Sequence, residues 1–237
     1  RIYIMALDIP QYTKLATNIF YFLTIIFFVV KYSLAKVERK ENEWISTMDS
    51  SKSNLLNFFY LFLLILSQLF INSNISRIYC NKVQSFSVFK YTVVPNIIIF
   101  GSLIFILNAF PHWSMPFSNT IGYFIVSFGS KLTKIFKILL KKSNDLREFI
   151  KTNETLVINQ MNPENFDKVL DDLIKFENEE EKNNYYNDDS IIRAYQYLYK
   201  YVYQKHLISH FIWFLLAGAY TLNISQGYIY NIQDECA

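Results

Sequence analysis

The sequence predicts an all-α membrane protein with about four transmembrane helices, a basic amphipathic interfacial helix and a small helical polar region. Three observations carry that prediction. Apolar residues make up 52% of the 237 and gather in blocks instead of recurring at the spacing of a water-soluble core. Four of the blocks match or approach the roughly 20 apolar residues that a helix needs to cross hydrocarbon. After the third block the pattern becomes periodic, with lysines facing an apolar arc. The net charge of +3 says little about partners, whereas the local placement of charge says more.

The first span runs from about Leu15 to Leu34, with Lys31 close enough to its end to snorkel toward water. Lysine and arginine follow it where a signal peptide would have a small-residue cleavage site. Residue 1 is arginine, so either the chain continues upstream or Met5 is its start. A polar loop, 36–54, carries Lys36, Arg39, Lys40 and Lys52, with Trp44 suited to a bilayer surface. The second span, about Leu55 to Ile71, contains Asn57 and Gln68, amides expected to face a partner helix. Residues 72–91 read as a polar loop alternating serine with aromatics. The third span, about Val93 to Phe110, has Pro95 near its first turn, where a missing donor costs little.

Next comes Phe110-Pro111-His112-Trp113-Ser114-Met115-Pro116-Phe117-Ser118-Asn119-Thr120-Ile121-Gly122-Tyr123. Pro111 and Pro116 disfavour helix at the residues before them, so a rigid elbow is expected, with Ser118 or Asn119 capping a new helix. Trp113 and Tyr123 suit the headgroup layer. The run from Pro111 to Tyr123 resembles the Pro-Gly-Trp-x-x-Pro-Phe-Ser-Asn-Thr-x-Gly-Tyr signature of a small multi-pass membrane protein from large icosahedral DNA viruses. In those viruses an internal membrane lies beneath the capsid. The match departs at His112, where the signature has glycine.

The resemblance implies a structural protein of the virion inner membrane, of the transmembrane minor capsid type, with no catalytic residues to carry over. Its implied partners are the lipid bilayer, other capsid or minor capsid proteins, and further copies of itself.

From Ile121, the residues Phe124, Ile125, Phe128, Leu132, Ile135, Phe136 and Leu139 fall in an arc of about 120°, at roughly 100° per residue. Lys134, Lys137 and Lys141 lie opposite, flanked by Lys131 and Lys142. Such a helix lies on a bilayer, dips into it over its first turns, docks on a partner or packs on the protein's own polar region. The expected partner or membrane interface is therefore Pro111, Trp113, Pro116, Phe117, Ser118, Asn119, Thr120, Gly122 and Tyr123, together with Lys131, Lys134, Lys137 and Lys141.

Residues 143–206 look soluble. A short helix is expected after Asn162-Pro163-Glu164, then an acidic loop from Glu177 and a tyrosine-rich helix through Ile191, Tyr195, Leu198 and Val202. This region is small enough that it should lean on the membrane helices or on neighbours. The fourth span is about Leu207 to Ile224, where Ala217 and Gly218 offer a small-residue packing face. The chain thus divides into 1–110 (three spans), 111–142 (elbow and basic helix), 143–206 (polar region) and 207–237 (fourth span and tail).

Four spans put both termini on one side. Lysine and arginine concentrate near the other side, which places the first loop and 111–206 in the cytosol, facing the capsid if the viral resemblance holds. Two glycosylation-type triplets, Asn74-Ile-Ser76 and Asn223-Ile-Ser225, would be lumenal. Cys80 and Cys236 can form at most one bridge, and the residues leave that pairing open.

The sequence has no phosphate-cradling loop, nucleophile elbow or paired-carboxylate signature. His206 and His210 share a helix face but lack an obvious third ligand, so no metal or other cofactor is expected. The basic face alternates with membrane-type apolar residues, which argues against nucleic acid. Only five glycines and uncharged span centres argue against a hinged transporter or ion pump. The expectation is a non-enzymatic membrane scaffold, with a small channel, transporter or lipid-handling protein as the competing class.

Overall fold

The computed structural model describes residues 9–34, 36–40, 43–47, 50–128, 131–140, 144–174, 184–185, 187–232 and 236, with the backbone alone for 36–51 and 144–147. It is helical apart from one short hairpin. In chain order it contains α1 (Ile9–Leu34), β1 (Lys36–Lys40), β2 (Glu43–Thr47), α2 (Ser50–Cys80) and α3 (Ser85–Ala109). The elbow follows as a 3₁₀ turn (Pro111–Ser114), α4 (Met115–Phe117), a π-turn (Ser118–Gly122) and α5 (Tyr123–Ser127). The remaining helices are α6 (Leu132–Leu139), α7 (Asn144–Gln160), α8 (Phe166–Ile174) and α9 (Asp189–Tyr230). Four of these helices, α1, α2, α3 and α9, are long and apolar enough to span a membrane.

Between 22 and 33% of the residues in their apolar windows are buried, so most of these side chains face outward, as a lipid solvent requires. The chain divides into two compact units. The first comprises residues 1–31, 49–111 and 211–237, and the second residues 32–48 and 112–210. The continuous helix α9 contributes to both.

In the first unit, aromatic rings form the core of the helix bundle. Phe27, Tyr60, Phe100 and Phe214 are buried together, with Phe27 and Phe214 stacked at 5.5 Å. Gly218 lies where α9 meets Phe20, and a Cβ there would stand 2.0 Å from the Phe20 ring. Ala217 is half-buried beside it. Polar residues inside the bundle bond to one another. Thr24 meets the Tyr60 hydroxyl at 2.9 Å, and Asn96 donates to Gln68 Oε1 at 2.7 Å. Asn72 Nδ2 donates to Thr92 Oγ1 at 2.8 Å and to Ser225 Oγ at 3.0 Å. Gln68 thus faces a partner helix, whereas the half-buried Asn57 has an Oδ1 with no hydrogen-bond partner among the described residues.

That polar ladder corrects the expectation of a loop over 72–91. α2 continues to Cys80 and α3 restarts at Ser85, because Asn72, Ser76 and Thr92 are bundle-facing groups and not solvent-facing ones. The turn between them uses Asn81 at φ 55°, a left-handed conformation that asparagine tolerates better than most side chains. Pro95 consequently lies inside α3 and not at its start.

Both glycosylation-type triplets also fall within helices, and their serines, Ser76 and Ser225, are buried. Cys80 and Cys236 form a disulfide that ties the end of α2 to the tail after α9.

The second unit has a hydrophobic core of its own. Leu132, Phe136 and Leu139 of α6 are buried with Ile150, Ile158, Phe166, Leu170, Tyr195 and Leu198 from α7, α8 and α9. Phe166 makes edge contacts to Tyr195 and Tyr199 at 5.0 and 5.2 Å. The Tyr195 hydroxyl donates to Asp167, which fastens α8 to α9. Asn162 Oδ1 accepts from the amides of Glu164 and Asn165 at 2.9 and 2.8 Å, making the turn that leads into α8.

One further expectation changes here. The tyrosine-rich segment and the fourth span are one 42-residue helix, α9. The first loop contains an antiparallel hairpin with Arg39 opposite Trp44. The apolar stripes of the polar region close on one another and on α6. The acidic run from Glu177 to Glu181 lies outside the described residues.

Gly218→Ala should destabilise the folded chain by roughly 1–3 kcal/mol, and valine by more, because the buried Phe20 ring has nowhere to move. Gly227→Ala, where a Cβ meets nothing within 4 Å, should be neutral or gain up to about 1 kcal/mol. Thermal unfolding of the two variants in detergent checks both.

Candidate functional site at the elbow

The two prolines do not end helical structure. Turns continue through them by changing type, from 3₁₀ to α to π, and a π-turn widens the helix by one residue. Neither Ser118 nor Asn119 caps a helix as expected, since both lie inside the π-turn. The turn instead presents Ser118 and Gly122 inward, where both are buried. At Gly122 the elbow crosses α9 at backbone contact, and a Cβ there would stand 2.6 Å from the Lys205 carbonyl oxygen.

Lys205 is the centre of the site. Only 1% of its surface is exposed, and its Nζ donates to Asn119 Oδ1 at 2.9 Å, to the Ile158 carbonyl at 2.8 Å and to Asn159 Oδ1 at 3.4 Å. An ammonium has three protons to donate, and all three are committed. Asn119 also donates to the Asn159 carbonyl at 3.1 Å, so one amide bridges α7 and the lysine.

Neighbouring signature residues extend the same junction. Ser114 Oγ meets His206 Nδ1 at 3.2 Å, and Ser209 Oγ donates to the Ser114 carbonyl at 2.5 Å. The Tyr123 hydroxyl pairs with Thr155 Oγ1 at 2.9 Å. Thr120 Oγ1 bonds back to the Pro116 carbonyl at 2.5 Å, which closes the π-turn locally.

The structure therefore separates the expected interface residues into two groups. Asn119, Gly122 and Tyr123, together with the buried Ser118, face the protein's own α7 and α9. Trp113, Pro116 and Thr120 are exposed, and Pro111 and Phe117 are half-buried. The expected single amphipathic helix is broken, because Phe128 turns extended (ψ 104°) and α6 begins only at Leu132. The apolar face of α6 closes the unit's own core, which is the last of the four settings open to it in the sequence. Lys131, Lys134 and Lys137 remain exposed, and Lys141 lies outside the described residues. Before the break, Ile121, Phe124, Ile125 and Phe128 are exposed.

Sequence reasoning did not identify Lys205. Its signal was the stripe Val202, Lys205, Ser209, one helix face on which a cation stands between groups that are themselves fully buried.

His206 and His210 have ring centres 4.2 Å apart. Among the described residues no group of three or more His, Cys, Asp or Glu could hold a metal ion.

Fold and site together define the class: a multi-pass helical membrane protein with a second helical unit whose elbow is locked around a buried lysine. No protein family, curated protein or solved structure matches this chain.

Asn119→Ala should cost about 1–3 kcal/mol by stranding the buried ammonium. Circular-dichroism melts of the variant and of the parent chain in detergent check it.

Proposed function

We propose that this chain is a structural membrane protein of a virion, anchoring the internal membrane to the overlying capsid shell. One observation carries the reading. The signature run from Pro111 to Tyr123 is used as a structural joint, with Asn119 and Gly122 locking the elbow on Lys205 and leaving Trp113 exposed. A motif with that role is the kind a scaffold needs, and it agrees with the viral membrane protein that the run resembles. The four spans hold the chain in lipid, and the exposed Lys131, Lys134 and Lys137 offer a positive surface to capsid or minor capsid proteins.

The proposed orientation puts loop one and 111–206 on the cytosolic, capsid-facing side. The disulfide supports it from an independent direction. Cys80 ends α2 and Cys236 follows α9, both on the lumenal side in this orientation, and disulfides persist in an oxidising lumen. The membrane would then derive from the host secretory system.

Symmetry-averaged imaging of virions carrying this chain should find its density beneath the capsid lattice, repeating with that lattice. In sealed vesicles, protease added outside should cut within 143–190, whereas Cys80 and Cys236 should react with a thiol reagent only after reduction and permeabilisation. Flux of ions or solutes through liposomes containing the pure protein would replace the scaffold reading with that of a channel.

A further inference from the structure

The second unit contains a groove of about 450 Å³, within the range of small-ligand sites. One wall is Ile125, Val126 and Phe128, at the end of α5, and the other is Gln204, Leu207 and Ile208 of α9, with Tyr32 from the end of α1. The chain turns extended at Phe128, which is 83% exposed. Its one polar pair is internal, with Gln204 Nε2 donating to the Tyr32 hydroxyl at 2.9 Å. Lys200 is exposed, with its Nζ 5.5 Å from the centre of the Tyr32 ring.

Along α9 the order is informative. Lys200, Gln204 and Ile208 are spaced four apart on one helix face, so charge gives way to an amide and then to hydrocarbon, with steps of about 6 Å. Leu207 is where the apolar span begins. That sequence of chemistries is the profile of a phospholipid from headgroup to chain.

We propose that this groove binds an acyl chain of an anionic phospholipid, with the headgroup beside Lys200. The apolar walls suit a chain and reject a free phosphate, while the lysine supplies charge complementarity that a zwitterionic lipid matches less well. The lining residues Ile125 and Phe128 are exposed, as is Phe124 against Phe128, and such side chains partition into lipid. The inference rests on the membrane-spanning class and not on the virion assignment, so either can fail alone.

The full chain would be placed in nanodiscs of phosphatidylcholine and phosphatidylserine, each in turn carrying a photoreactive group in its acyl chain. Adducts would then be mapped by mass spectrometry. Phosphatidylserine adducts should concentrate on the peptides containing Val126 and Ile208. They should exceed phosphatidylcholine adducts there by about fivefold, the contribution of one lysine near an anionic headgroup. Ile208→Trp should abolish the groove adducts while leaving those on the lipid-facing Phe58, Phe62 and Phe70 unchanged. Lys200→Gln, at an exposed position that leaves the fold intact, should equalise the two lipids even if the tryptophan variant does not fold. Labelling as dense on Phe58, Phe62 and Phe70 as in the groove would mean annular lipid alone and would overturn the proposal. A serine preference that survives Lys200→Gln would overturn it as well.

Discussion

One helix belongs to two cores, and the rest of the structure follows from that constraint. α9 has 42 residues, about twice the number needed to cross hydrocarbon. Its first half buries Tyr195, Leu198 and Val202 against the apolar stripes of α6, α7 and α8, while its second half packs Phe214 and Gly218 in the bundle. A break between the halves would free backbone groups that the continuous helix pairs internally. Continuity avoids that cost, and Lys205 lies in the half that belongs to the second unit.

The two units satisfy their buried polar groups differently. Inside the bundle, short neutral side chains bond in pairs across helices, as with Asn96 to Gln68 and Asn72 to Thr92 and Ser225. Such bonds contribute modestly in lipid, yet they set which faces meet. In the second unit a charged group is buried with three oxygen acceptors and no carboxylate among them. The charge is solvated by dipoles in place of an opposite charge, and its geometry is held by all three acceptors.

That geometry also explains why the elbow has so specific a composition. A π-turn next to a helix crossing needs a residue without a side chain where backbones touch, and Gly122 is that residue. It needs an amide that can accept from a lysine and donate to a carbonyl at once, and Asn119 does both. Trp113, by contrast, makes its exposed surface available outside the junction. The elbow is thus both a lock and a presenting surface, and the aromatic residues up to Phe128 extend that surface.

The four spans were legible in the sequence because hydropathy is a property of each residue summed locally, and lipid imposes a length that chance seldom meets. The Gly218 packing site was legible for the same reason, since small residues on a span have few other uses. Two things were not. Polarity over 72–91 read as loop, because an asparagine buried opposite Thr92 and Ser225 is indistinguishable from one in water until its partners, up to 153 residues away, are known. The periodic run from Ile121 to Leu139 revealed an apolar face but not what would cover it. Tertiary structure decided that the later half closes on the protein's own helices while the earlier half stays exposed, because burial depends on what folds against a face and periodicity records only that the face exists.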